Sequence, residues 1–222
     1  MRVQTEDYLD AITHLPPGGR LTLYEIGWEE YEQLLDRLGE GAHRRISYDN
    51  GRLEIVTPSD KHEKYKNLLH DLVLILSDEL DQEVLSYGST TLKLEPKRKG
   101  AEGDDCFYIQ HAMQIGGKDR LDLSSDPPPD LVIEIDLTHD SSSKFAIYAA
   151  LGVPEIWHYD GSRFSIWHLA NQAYTAAPSS LAFPFLTAGR LAEFVANSEA
   201  LGGKQARRVF RAWVRAANPG TL

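Results

Sequence analysis

A chain of 222 residues with 42% hydrophobic and 25% charged side chains has enough apolar material for one well-packed domain. Its single cysteine, Cys106, excludes an internal disulfide and Cys-x-x-Cys zinc sites, and suits a reducing compartment. A formal net charge of −10 argues against a general nucleic-acid binder, although acids gathered at a metal site would inflate that count. No apolar run reaches the ~20 residues that span a bilayer. The first seven residues are polar and acidic, unlike a signal peptide, so a cytoplasmic protein with no membrane attachment is expected.

In chain order, residues 1–20 read as a loose arm, because Leu15-Pro16-Pro17-Gly18-Gly19 has breaker composition. Trp28, Tyr31, Leu34, Leu35 and Leu38 recur at helical spacing, with Gly39 as a stop. Residues 45–56 form a hairpin signal around Asn50-Gly51, a pair suited to a type I′ turn. The clearest helix spans Asp60 to Asp81, with Asp60 and Glu63 resembling a capping box and His62 and Glu63 in its first turn. Val84 to Leu94 has strand composition, and Glu95 to Gly100 reads as an exposed basic loop. An acidic patch, Glu102-Gly103-Asp104-Asp105, leads into a strand over 106–109, followed by a loop over 111–125.

The most informative stretch follows three prolines. Asp130-Leu131-Val132-Ile133-Glu134-Ile135-Asp136-Leu137 reads as a buried strand whose alternation puts Asp130, Glu134 and Asp136 on one face. Ionised carboxylates buried without partners cost roughly several kcal/mol each, so this face must open to water or meet a cation. A helix from Ser141 to about Leu151 follows, capped by Asp140, with Lys144 in its first turn against the preference of the helix dipole. A second hairpin, 154–169, is expected to cover a sheet edge, and residues 171–188 read as loop. Helix returns over 191–217, broken near Gly202-Gly203, and ends in a basic face of Lys204, Arg207, Arg208, Arg211 and Arg215. Such faces are usually solvated; contact with phosphate is the alternative.

If the strands carrying Asp104 and Glu134 are neighbours, the two carboxylates converge on one ion, and oxygen-only ligands suit Mg²⁺ or Mn²⁺. Asp136, ~6.5–7 Å along the face from Glu134, is a further candidate ligand. Lys144 is the best placed cation to offset an oxyanion or orient a water. No Gly-x-Ser-x-Gly elbow is present, Ile115-Gly116-Gly117-Lys118-Asp119 is not a phosphate loop, and His62-Glu63 does not complete a His-Glu-x-x-His motif. Nothing else suggests an organic cofactor.

These residues resemble the PD-(D/E)XK nuclease superfamily and, more closely, the Uma-type family of restriction-endonuclease-like proteins, common in cyanobacteria. The resemblance runs from about Trp28 to Trp213 and is carried by Tyr48 to Gly51 leading to His62-Glu63, by Pro129 to Glu134, and by Lys144 through Tyr148-Ala149 to Gly152-Val153-Pro154-Glu155-Ile156-Trp157. It implies one α/β (α+β) domain over 1–222, with a restriction-endonuclease-like core: a mixed β-sheet flanked by helices, with hairpin and helix additions at both ends. It implies Asp104 and Glu134 as catalytic acids, and Lys144 as a lysine moved onto the helix from the usual position, here Asp136. Glu63 matches a supporting acid, and Asp130 is a cap or supporting group. Gly103 replaces the usual proline, which leaves Asp105 open as the first ligand. The implied activity is Mg²⁺-dependent endonucleolytic hydrolysis of DNA, with a homodimer expected. The alternative is an inactive nuclease-fold module that binds nucleic acid or protein.

Overall fold

The computed structural model describes residues 5–39, 44–137 and 142–218. In chain order these form α1 (Thr5–Thr13), β1 (Arg20–Leu23), α2 (Trp28–Leu38), β2 (Arg45–Asp49), β3 (Arg52–Val56), α3 (Asp60–Leu80), β4 (Leu85–Ser86), β5 (Thr91–Leu94), β6 (Lys99–Glu102), β7 (Asp105–Tyr108), α4 (Ala112–Ile115), β8 (Leu131–Ile135), α5 (Ser142–Leu151), β9 (Glu155–Tyr159), β10 (Phe164–Ala170), β11 (Ala173–Ala177), α6 (Ala188–Leu201) and α7 (Gly203–Ala217). The expected helix cap Asp140 lies outside the described residues.

The strands make two sheets rather than one. The first is antiparallel, in the order β1-β3-β2-β6-β5; the second is mixed, in the order β11-β10-β9-β8-β7-β4. Only the β8–β9 pair is parallel among the described strands, and α5 is its crossover. A crossover helix needs an apolar stripe, and Ile147, Tyr148 and Leu151 supply it. They pack with Leu92 and Ala101 of the first sheet and with Cys106, Val132 and Ile156 of the second. Thus α5 lies in the core that joins the two sheets. On the second sheet's far face Leu131, Ile133 and Ile135 pack with α3, α6 and α7. On the first sheet's far face Tyr48, Ile46, Leu53 and Ile55 pack with α1 and α2.

Several expectations change. Within the arm over 1–20, the described residues from 5 onward are not loose: Tyr8, Leu9 and Ile12 fall on one face of α1 and join the α2 core, with Ile12 fully buried. The stretch from Val84 to Leu94 is two short strands in different sheets, parted at Gly88, whose φ of 59° suits a residue without Cβ. The basic loop continues into β6. Residues 173–177, expected as loop, pair with β10 as β11, and β9 is interior rather than a cover on an edge. The basic face of α7 stays solvated, as expected, but three of its arginines are ion-paired: Arg207 pairs with Asp71, and Arg211 and Arg215 pair with Glu79, all on α3. Those arginines clamp α7 to α3, which accounts for them without phosphate.

The hairpin at 45–56 forms as expected, with Asn50 and Gly51 at φ 47° and 95°. Next to it Gly100 faces Tyr31, which stacks on Tyr48 with ring centroids 4.7 Å apart. A Cβ at Gly100 would lie 2.3 Å from the Tyr31 hydroxyl. Gly100→Ala is expected to destabilise the fold by about 1–3 kcal/mol through overpacking, measured by urea denaturation. Unchanged stability would mean that Tyr31 can move aside freely.

Candidate active site

The cleft is assembled from seven segments that meet where the two sheets adjoin. It is lined by Arg20, Arg45, Glu54, His62, Asp104, Glu134, Asp136 and Lys144, among others, and measures about 470 Å³ including its open mouth.

Two carboxylates sit at its floor because β7 and β8 are neighbours, with Asp105 opposite Ile133. The Asp104 N–H donates to the Ile133 carbonyl at 3.0 Å, which fixes Asp104 beside Glu134. Asp105 points elsewhere. Its carboxylate lies 2.7 Å from His70 Nδ1 and accepts from Ser86 Oγ and the Cys106 N–H. This separates the two aspartates: Asp104 faces the cleft and Asp105 ties β7 to α3 and β4.

Asp104 is 2% exposed, and both its oxygens have donors. Arg45 Nε donates to Oδ1 at 3.2 Å; the Ile135 N–H donates to Oδ2 at 2.8 Å, and His62 Nε2 lies 2.9 Å from Oδ2. Burial alone would raise its pKa. The His62 hydrogen bond and the charges of His62, Lys144 and Arg45 outweigh that and bring it down to about 2.

Glu134, 1% exposed, is in the opposite condition. The cation its strand requires is Lys144, whose ammonium donates to its two oxygens at 3.2 and 3.0 Å and to the Glu102 carbonyl at 3.1 Å. The Tyr148 hydroxyl, one turn further along α5, also donates to Glu134. Burial still prevails and pushes Glu134 up to about 7, with the Asp104 charge adding to the rise. Burial would lower Lys144, but the charges of Glu134 and Asp104 hold it above its usual value. Lys144 is therefore placed against its helix dipole because Glu134 faces it.

Other residues act through these. Ser59, not Asp60, is the N-cap of α3, accepting from the His62 N–H. With the cap one residue earlier than expected, Glu63 leaves the capping role and accepts from Arg45 Nη2 at 3.1 Å. Arg45 thus bridges Glu63 and Asp104. Asp136 lines the cleft, with Oδ2 2.8 Å from His158 Nε2. Asp130 lies at the other end of β8, where it accepts from the Ile109 and His111 N–H groups and clamps the turn before α4. Gly103 is explained by space: a Cβ there would meet Val132 Cγ1 at 2.9 Å and the Tyr148 hydroxyl at 3.3 Å. Any side chain there would press first on Val132 and crowd the hydroxyl that holds Glu134.

Sequence reasoning passed over Arg45 as a hairpin residue and Tyr148 as a core residue. Tyr148 carries a faint signal, being one helical turn past Lys144.

The Uma2 family, described as "Putative restriction endonuclease", matches residues 28–191. This chain belongs to the Uma2 family. The matched span includes every cleft residue named above except Arg20 and leaves out most of α6 and all of α7. Among solved structures the Uma2 chain is similar to one from Anabaena variabilis ATCC 29413, described as a "putative nuclease belonging to DUF820", at 15% identity and a TM-score of 0.46 over 67% of this chain and 89% of that one. No curated protein matches it.

The residues fit a divalent cation in kind. Asp104 and Glu134 offer oxygen donors in one cleft, and a hard cation such as Mg²⁺ binds through one or two carboxylates while keeping several waters. Among the described residues no three His, Cys, Asp or Glu side chains form a ready ligand group. Asp104 and Glu134 would hold the ion, in competition with Arg45, His62 and Lys144, and the remaining positions would fall to water or peptide carbonyls.

The two acids give opposite pH signatures. Folded Glu134 keeps its proton up to about 7, whereas the unfolded side chain releases it near 4.5, so its contribution favours folding below that window and is lost as pH rises through it. Folded Asp104 contributes stability above 3.8 that is lost as pH falls toward about 2. Glu134→Gln is therefore expected to flatten the decline in stability between pH 4.5 and 7, measured by denaturant titration across pH. An unchanged slope would assign that decline to other groups.

Proposed function

We propose that this Uma2 protein is a Mg²⁺- or Mn²⁺-dependent endonuclease that hydrolyses phosphodiester bonds of DNA. The observation that carries this reading is the convergence of Asp104, Glu134 and Lys144 in one cleft, from a strand-entry turn, a strand and the following helix. A divalent ion bound there supplies Lewis-acid polarisation of a phosphodiester and lowers the pKa of a nearby water.

The chain's own residues do the rest. Arg45 and His62 hold Asp104 ionised and fixed in orientation. Tyr148 holds Glu134 toward the cleft. Lys144, 3.0 Å from Glu134 at the cleft floor, would donate to a phosphate oxygen as negative charge develops. The cleft's arginines, Arg20 and Arg45, pair with Glu54 and Asp104 and so offset part of the negative charge that a phosphodiester would meet there. Two cuts in a duplex need two clefts, which a homodimer would provide.

One observation favours a second reading. Asp104 and Glu134 are both fully engaged by protein donors, which suits a nuclease-fold module that binds nucleic acid without cutting it.

Supercoiled plasmid incubated with Mg²⁺ or Mn²⁺ separates the two. The nuclease reading predicts nicking or linearisation that falls about 10²–10⁴-fold in Glu134→Gln and in Lys144→Met, with both variants folded by circular dichroism. Binding without cleavage under every divalent ion tried would establish the second reading, and cleavage that persists in Glu134→Gln would remove Glu134 from the chemistry.

A further inference from the structure

A second, larger and open cavity, about 1800 Å³ including its mouth, lies on the other face of the first sheet, between the end of α2, β2, β5 and β6 and the turn at residues 87–90. Its chemistry is mixed in a particular way. Arg44, Lys93 and Arg120 line it together with Asp36, Glu102 and Asp119, Ser89 adds a hydroxyl, and Tyr87, whose ring also meets Tyr108 at 5.5 Å, adds an aromatic surface. Separate cations and an aromatic surface suit a ligand with one phosphate and one flat heterocycle better than a polyanion or an apolar molecule.

Two features tie this cavity to the cleft. Arg44 and Arg45 are consecutive, and alternation along the chain sends Arg44 to the cavity and Arg45 to the cleft. Glu102 forms part of the partition. Its carboxylate lines the cavity, accepting from the Ile46 N–H at 2.9 Å and from Thr91 Oγ1 at 2.7 Å, while its carbonyl accepts from Lys144 Nζ at 3.1 Å. The cavity and the catalytic lysine are therefore one residue apart.

We propose that this cavity binds an unstacked nucleotide of the substrate strand, adjacent to the phosphodiester held in the cleft. The proposal rests on the nuclease reading and names a subsite for it. The base lies against Tyr87 and its phosphate meets Arg44 or Arg120, so that the strand passes the start of β2, at the end of the first sheet's central strand, between the consecutive arginines. Preference for particular bases would then arise here, away from the cleft itself.

Two variants test it without touching the cleft. Arg44→Glu reverses a cavity charge and leaves intact the Arg44 carbonyl that accepts from Arg45 Nη1. Ser89→Trp fills the cavity from its turn. The probe is a short fluorescein-labelled single-stranded deoxyoligonucleotide. Binding is measured in Ca²⁺, and cleavage in Mg²⁺ gives KM and kcat. Each variant is expected to raise Kd and KM together by about tenfold while kcat stays within about twofold. Unchanged Kd and KM in folded variants that still cleave would overturn the subsite and leave the nuclease reading standing. If the wild-type protein does not cleave, the binding arm still decides: weaker binding by both variants supports the cavity, and equal binding, or no binding by the wild type, overturns it.

Discussion

The pair on which the site depends is Glu134 with Lys144. A carboxylate in the middle of a buried strand is tolerated only if a cation and hydrogen-bond donors meet it, because its solvation is lost. The chain brings the cation from ten residues away, in the first turn of α5, and a second donor, the Tyr148 hydroxyl, from the next turn. That arrangement requires α5 to lie between the sheets, which its Ile147, Tyr148 and Leu151 stripe secures. It is eased by the lack of a side chain at 103, where a Cβ would lie 2.9 Å from Val132 Cγ1 and 3.3 Å from the hydroxyl. The parallel β8–β9 crossover is thus the device that delivers Lys144 and Tyr148 to Glu134.

The two floor acids are held in unlike states by their surroundings. Asp104 is surrounded by donors and is ionised over the whole physiological range; Glu134, more costly to ionise, sits near its midpoint. One acid is thus a fixed anion and the other a group whose charge responds to what approaches it. Asp104 and Glu134 would hold a divalent cation, which would supply Lewis-acid chemistry, and Lys144 would stand beside the substrate as a second cation. The same pair that allows the strand to fold thereby places a cation where phosphoryl chemistry needs one.

Much of this was legible in the sequence, for identifiable reasons. The hairpin at Asn50-Gly51, α3 and the apolar run of β8 are local signals, set by turn chemistry and periodicity, and they fall where expected. Glu134 was conspicuous because it breaks an apolar strand, and Lys144 because it opposes a helix dipole; each oddity is the other's explanation. Arg45 and Tyr148 were not legible, since an arginine opening a strand and a tyrosine in a core stripe are both ordinary, and their contacts span 59 and 14 residues. The division into two sheets was hidden for a similar reason: the turn at Gly88 reads as a bulge unless the partners of β4 and β5 are known. The basic face of α7 is solvated as the sequence suggests, but its ion pairs were hidden, because sequence shows the arginines without the α3 acids that meet them. The choice between Asp104 and Asp105 turned on strand register, which only the β7–β8 pairing fixes.

The account stands or falls on whether Glu134 and Asp104 form a cation site that Lys144 occupies in the folded chain. Isothermal titration of Mn²⁺ into the wild-type protein, Glu134→Gln and Lys144→Met tests this directly, without recourse to any nucleic acid. The account predicts saturable binding by the wild type, binding at least about tenfold weaker in Glu134→Gln, and tighter binding in Lys144→Met, where no ammonium competes. Absence of Mn²⁺ binding in the wild type and in Lys144→Met alike, with both proteins folded, would contradict it.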